Sequence, residues 1–289
     1  MRNLSSQPSS EAAAVLSPAP MGWFALVPSH ELGRGGTWSG IVANQPCRIT
    51  RGKGGSIHGE GALGPFVEQN GFVFAWHGGP HDGAEPQFAL PELPEEGWSR
   101  ARYHRIDAQT HPQEVYENSI DQAHFPIIHK YADIEIRQPM QLQAHSMRVG
   151  YRITRALPGV QRRLSSEFEV QLHGIGVAHN HIEVPLLGLK TRMLALATPT
   201  TPGNVVLWLR VSVRFDRPGL LGAFTRALTP VVLAATAQGI VHDFRQDLSI
   251  WAHKRYLERP VLVAGDGPIG RFRRWARQFY GPLPAGAAS

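Results

Sequence analysis

The sequence runs to 289 residues with 42% hydrophobic content, enough to bury one large core or two modest ones. Twenty-nine basic against 23 acidic residues give a formal charge of +6, but the basic positions are scattered apart from one C-terminal cluster, so no nucleic-acid partner is expected. The single cysteine, Cys47, excludes an intrachain disulfide and suits a reducing cytoplasm, and no apolar run approaches the ~20 residues of a membrane span.

Residues 1–20 are rich in Ser, Pro and Ala, which predicts a disordered tail, and their AAAVL run is too weak for a secretory signal. From Met21 to about Pro80 the pattern is strand and turn. GWFALV (22–27) is a short apolar run, and SHELGRGG (29–36) supplies a helical turn and a bend. TWSGIVA (37–43) and QPCRIT (45–50) read as strands, with GKGGS (52–56) as a turn. PFVEQNGFVFAWHG (65–78) gives two strand halves around Asn70-Gly71, a hairpin signal. Residues 81–110 read as a connector whose prolines and acids suit an extended crossing of the surface.

A helix is predicted over HPQEVYENSIDQAHF (111–125), with Asn118, Asp121 and His124 on one face and Val115, Tyr116, Ile120 and Ala123 on the other. His124 and His129 are five apart, which an unbroken helix would turn roughly 140° from each other. Pro126 interrupts the helical ladder, so a helix ending near Phe125 and a tight turn can return His129 to the side of His124. Two imidazoles so placed, with a distant carboxylate, form the facial arrangement that holds Fe(II) and leaves positions open for oxygen. The plain alternative is a helix end with two structural histidines and a solvated aspartate.

Met140 to Phe215 reads as a run of antiparallel strands that alternate apolar and polar residues between Gly and Pro turns. Within it His179 and His181 point to one face of a strand, as a metal pair or as pocket lining. Ala223 to Glu258 has apolar residues at helical spacing, with Asp243 and Asp247 on one face and Trp251 four residues beyond. Asp247 could equally make a surface ion pair with Lys254 or Arg255. IGRFRRWARQFY (269–280) predicts a terminal amphipathic helix with a basic face, solvated by default or turned to a partner.

The run Asn118-x-x-Asp121-x-x-His124-x-x-x-x-His129 resembles the mononuclear-iron motif of Rieske non-haem iron oxygenases, and its ENxxDxxHF form is most similar to the 3-ketosteroid 9α-hydroxylase and cholesterol desaturase branch. QDLSIWAHKRYLERPVLVAGDGPIGRFRRWARQFY (246–280) is close to the ketosteroid hydroxylase ending. That resemblance implies Asp247, four residues before Trp251, as the third iron ligand, with Asp243 in reserve. The GW opening at 22–23 and the closing NGFVFAWHG resemble the framework of a Rieske domain. Its middle is missing, because RITRGKGGSIHGEGA (48–62) leads directly into the closing hairpin and neither Cys47 nor His58 matches a cluster pair. A Rieske cluster takes two cysteines and two histidines, so no [2Fe-2S] cluster is expected in this chain.

The resemblance touches most of residues 21–280 and implies an α+β fold. A reduced all-β Rieske-like framework (21–80) would precede a helix-grip catalytic domain (81–280), an antiparallel sheet cradling a long helix, with tails at 1–20 and 281–289. It implies Fe(II) on His124, His129 and Asp247, with Asp121 bridging an electron path and Asn118 tuning the ligands. The implied function is a monooxygenase subunit that hydroxylates or desaturates a steroid-like or polycyclic apolar substrate. Electrons would come from a Rieske-bearing partner subunit or a ferredoxin and reductase, in a trimeric homo- or hetero-oligomer. The alternatives are a non-catalytic paralogue that assembles with a complete oxygenase, or an iron enzyme of isomerase or dioxygenase type.

Overall fold

The structure, a computed structural model, describes residues 19–78, 86–156, 163–216, 225, 227–257, 260–263 and 265–280. The expected tails lie outside these residues except for Ala19 and Pro20, and Pro20 is held in place by His77 Nδ1, which donates to its carbonyl at 2.9 Å. The described chain is mostly antiparallel sheet with few helices.

Six strands come first: β1 (Gly22–Pro28), β2 (Thr37–Val42), β3 (Gln45–Arg51), β4 (Ile57–Glu60), β5 (Phe66–Gln69) and β6 (Phe72–His77). They form two three-stranded sheets, β1-β6-β5 and β2-β3-β4. The Asn70-Gly71 hairpin is present, with φ of 52° and 81°, the left-handed pair that a two-residue turn between twisted strands requires. Every residue of β1 and β6 is buried.

Seven strands make the main sheet: β7 (Arg102–Gln109), β8 (Asp133–Gln143), β9 (Ser146–Ala156), β10 (Arg163–His173), β11 (Val177–Val184), β12 (Leu189–Pro199) and β13 (Asn204–Phe215). Strands β8 to β13 are a meander, and β7 closes the far edge beside β13, giving the order β7-β13-β12-β11-β10-β9-β8. Two expectations need correction. The connector predicted over 81–110 contains β7, whose inward Ile106 and Ala108 alternate with outward polar residues. The meander begins at Asp133, seven residues before Met140, because β8 is largely exposed and carries little apolar signal.

The middle of the main sheet is covered on both faces, which is why β12 and β13 read as nearly continuous apolar runs. On one face Val177, Leu194, Leu196 and Trp208 pack against Trp23, Ala25, Phe72, Phe74 and Trp76 of the small sheet. Thr198 Oγ1 donates to the Ala25 carbonyl at 2.7 Å, tying β12 to β1. Gly176 is needed in the turn below, since a Cβ there would lie 2.2 Å from the Trp23 carbonyl oxygen.

The other face meets the helices α1 (Pro112–Glu117), α2 (His124–Ile128), α3 (Thr229–His253) and α4 (Ile269–Ala276). Helix α3, about 37 Å long at 1.5 Å per residue, lies across β7 and β13. Its stripe of Leu233, Ala237, Val241, Phe244, Leu248 and Trp251 joins the main core. Fully buried aliphatic and aromatic side chains of this kind each stabilise by about 1.5–3 kcal/mol. Helix α4 buries Phe272, Trp275 and Ala276 and leaves Arg271 and Arg274 exposed. Arg273 departs from the expected basic face: its side chain is turned inward onto Glu117.

Candidate metal centre

Helix α1 starts on His111, whose Nδ1 accepts from the Gln113 backbone, with Pro112 in the first position, where a missing N–H costs nothing. It ends at Glu117 because the next residues tighten into a turn: Ile120 and Asp121 both donate to the Glu117 carbonyl at 3.0 Å. Two phenols pin this turn to the sheet. Tyr116 donates to Ala195 O and accepts from Ala197 N, both at 3.1 Å, and Tyr151 donates to Ser119 O at 3.0 Å.

Asp121 then caps α2, its Oδ1 accepting from Ala123 N at 3.2 Å and its carboxylate also from the His124 backbone N–H. The helix predicted unbroken to Phe125 is therefore two short helices separated at 118–123. Pro126 falls in the first turn of α2, where no intrahelical N–H is lost, so it does not end a helix there. Helix α2 closes with His129 N donating to Phe125 O at 3.1 Å, so this one-turn helix starts on one histidine and is capped at its C-terminus by the other.

The ring tautomers follow from the partners. His124 Nδ1 lies 2.9 Å from the Asp121 carbonyl oxygen and His129 Nδ1 lies 3.0 Å from Gln246 Oε1. Both partners accept, so each Nδ1 carries the proton and each Nε2 presents a lone pair. Those two lone pairs face one another at 3.0 Å. Asp247, buried on the apolar stripe of α3, brings Oδ1 to 3.7 Å from His129 Nε2 and 4.0 Å from His124 Nε2. This oxygen has no hydrogen-bond donor among the described residues.

Burial pushes the His124 imidazole down to about 4, with His129 and Lys254 acting the same way and the bond to Asp121 opposing, so the ring is neutral at pH 7. Burial also pushes the Asp247 carboxyl up to about 6, against the attraction of His129 and a hydrogen bond from Asn118. Two Nε2 lone pairs aimed at one another and an orphaned carboxylate oxygen repel unless something positive sits among them. One divalent cation satisfies all three, and nitrogens 3.0 Å apart suit adjacent ligands at roughly 2.0–2.1 Å, as for zinc. The three donor atoms lie within 4.8 Å of one another, the sole such cluster among the described residues.

Other sequence candidates fall elsewhere. Asp243 accepts from Tyr131 at 3.0 Å and pairs with Arg155, and it lies outside the cluster of His124, His129 and Asp247. Lys254 pairs with Glu114 and Glu117, which removes it as the partner of Asp247. His179 and His181 gain no third ligand among the described residues, and His181 meets Trp98 edge-on. Cys47 is buried in β3, and His58 on β4 lies 2.8 Å from Ser56 Oγ. Two surface clefts of about 340 and 150 Å³, lined by Asp107 and Asn204 and by Trp38 and Trp208, do not touch the triad.

Three contributors carry no signature in the sequence. Gln246 orients His129, and Arg155 and Tyr131 occupy Asp243, with the Arg155 guanidinium 4.2 Å above the Tyr131 ring and also hydrogen-bonded to its hydroxyl. Tyr131 in turn packs beside His129, ring centroids 5.5 Å apart.

Residues 75–280 match the family model described as the 3-ketosteroid 9α-hydroxylase C-terminal domain, a span that contains all three members of the triad. Cholesterol 7-desaturase of Caenorhabditis elegans is 25% identical over 254 residues, covering 75% of this chain and 54% of that protein. The 3-ketosteroid-9-alpha-monooxygenase oxygenase component of Rhodococcus rhodochrous is 26% identical over 225 residues, covering 74% and 58%. The chain thus spans a little over half the length of these curated relatives. Among solved structures, dicamba monooxygenase bound to dicamba superposes with a TM-score of 0.68 at 14% identity, over 92% of this chain and 98% of that one. NdmA of Pseudomonas putida CBB5 with caffeine gives 0.63 at 11%, over 88% and 89%. These superpositions show a shared fold.

Proposed function

The chain belongs to the 3-ketosteroid 9α-hydroxylase C-terminal domain family, and on that premise we propose that it is an oxygenase-type subunit of a non-haem iron monooxygenase that hydroxylates or desaturates a steroid-like or other polycyclic apolar substrate. The observation that carries this reading is the meeting of His124, His129 and Asp247 inside the matched span. Two neutral imidazoles and one carboxylate are the ligand set that suits Fe(II) with open positions. His124 and His129 would hold it through Nε2 and Asp247 through Oδ1. Iron bound there supplies the activation of dioxygen, which consumes electrons brought from outside the site.

The chain's own residues prepare that site. The Asp121 carbonyl holds the His124 tautomer, and the Asn118 amide donates to the Asp247 carboxylate. Phe125 packs against His124 at a centroid distance of 4.4 Å and Tyr131 against His129 at 5.5 Å, which limits how far either ring can turn. The Asp121 carboxylate is half-buried, accepts from the His124 backbone N–H and feels the charge of Asp266. It is our candidate for the point where an electron crosses from a partner.

These 289 residues hold one cysteine, too few for a Rieske cluster, so a cluster that feeds this site lies outside them. The Rhodococcus relative is named an oxygenase component, which supports a ferredoxin, reductase or cluster-bearing subunit as partner; the trimeric homo- or hetero-oligomer is part of the proposal. We divide the chain into a helix-grip catalytic domain over 81–280, supported by α3 lying across β7 and β13, and a reduced Rieske-like framework over 21–80. No described helix is long and apolar enough to cross a membrane, and the single cysteine supports a cytoplasmic setting.

One observation favours a second reading. The Asp121 carboxylate caps α2 instead of reaching an imidazole, as a non-catalytic paralogue that only assembles with a complete oxygenase would tolerate. Reconstitution with a cluster-bearing partner whose own mononuclear site is disabled separates the two. Product from a polycyclic substrate supports catalysis at this chain, and an iron-loaded but inactive complex supports the scaffold.

A further inference from the structure

We propose that Gln246 is the positioning residue for His129, and that His242 fixes Gln246 in turn; this rests on the metal-centre reading above. The two imidazoles are oriented by different means. His124 Nδ1 donates to a main-chain carbonyl, that of Asp121, whereas His129 Nδ1 meets a side chain, Gln246 Oε1, at 3.0 Å. Only the second contact can be changed by substitution of the accepting residue.

Gln246 directly precedes Asp247, so one stretch of α3 carries a candidate ligand and the group that orients another. The amide has two donors and one acceptor, and flipping it would set its NH₂ against the Nδ1–H of His129. On its far side Gln246 Nε2 lies 3.3 Å from His242 Nε2, four residues back and exposed on the same helix. Donation to that ring nitrogen keeps the amide oxygen facing His129. The three side chains form one directed series: His129 Nδ1–H to Gln246 oxygen, Gln246 N–H to His242.

Loss of such a partner costs roughly 10–100-fold in metal affinity, because the ligand ring is no longer held in one orientation and tautomer. The test is anaerobic Co(II) titration of the full metal-free chain, reading dissociation constant and ligand-field absorption, together with thermal melting of the metal-free proteins. Gln246→Leu keeps the helix propensity and most of the side-chain bulk but removes the acceptor. It is expected to weaken Co(II) binding ~10–100-fold and alter the absorption bands while the metal-free protein stays folded. Gln246→Glu keeps an acceptor and is expected to bind at least as tightly as wild type. His242→Ala frees the amide to flip and is expected to weaken binding in the same direction by less. Wild-type affinity and spectrum in Gln246→Leu, or failure of Gln246→Glu to restore them, overturns the proposal alone. A wild-type chain that takes up no Co(II) overturns the metal-centre reading, and this proposal with it.

Discussion

Glu117 and Arg273, 156 residues apart, form a buried two-pronged ion pair, with Nε to Oε2 at 2.6 Å and Nη2 to Oε1 at 2.7 Å. Glu117 immediately precedes Asn118, and Lys254 at the end of α3 reaches the same carboxylate at 3.1 Å. One acid therefore joins the motif turn, the ligand-bearing helix and the last helix. The pair holds Glu117 below the usual carboxylate range against the opposing effect of burial.

Arg273→Met should leave Glu117 and Glu114 sharing Lys254 alone. Breaking a buried pair from one side costs about 3–5 kcal/mol, and Lys254 should hold the loss near the lower end. Urea denaturation of the metal-free chain checks this. Adding Glu117→Gln to that variant should recover part of the loss, since the stranded charge is removed with its partner.

Acid sensitivity beyond that of His124 should come from histidines distant in sequence from the metal motif. Burial pushes His173 and His179 down from an ordinary 6.5 to about 4, and neither Nε2 has a hydrogen-bond partner among the described residues. Between those values the unfolded chain binds protons that the folded chain refuses. Stability is therefore full above pH 6.5 and falls as pH drops towards 4, by at most about 1.4 kcal/mol per pH unit for each ring. Replacing both with Gln should flatten this limb in denaturation curves taken from pH 7 to 4. An unchanged slope would assign the acid sensitivity to other groups.

Asp121→Asn offers a clean probe of charge, because asparagine caps a helix about as well as aspartate and can still accept from Ala123 N. Iron uptake and assembly should survive. Turnover of the reconstituted complex should fall by an order of magnitude or more if the carboxylate carries the electron path. Wild-type turnover would remove Asp121 from that path and leave it as a helix cap.

How far the sequence carried this reading depended on range. The Asn70-Gly71 hairpin was legible because its turn chemistry is local. Asp121, His124 and His129 were legible as a cluster because Pro126 signalled a break, though the break itself lies at 118–123, where Tyr116 ties the end of α1 to β12 and Tyr151 reaches the turn from β9. Asp247 carried a further signal, an acid on a helical stripe otherwise filled by Val241, Phe244 and Trp251. Gln246 could not be found this way. Its amide is ordinary and its partner, His129, is 117 residues away. Strand β7 was hidden for a related reason: only Ile106 and Ala108 mark its inward face, and its pairing is with a strand a hundred residues later.

The isolated chain, with one cysteine, should show no Rieske-type electron paramagnetic resonance signal and no NADH-driven turnover with a generic ferredoxin and reductase. A Rieske signal from a sample shown by mass spectrometry to contain this polypeptide alone would overturn the dependence on a partner's cluster.

The most direct test of the metal centre is anaerobic Fe(II) loading of the purified chain, followed by metal analysis and competition against a chelator. About one iron per chain is expected, and Ala at His124, His129 or Asp247 should each abolish tight binding, since two remaining ligands make a weak site. Wild-type affinity no better than that of the triple alanine variant would contradict the metal centre and the oxygenase reading built on it.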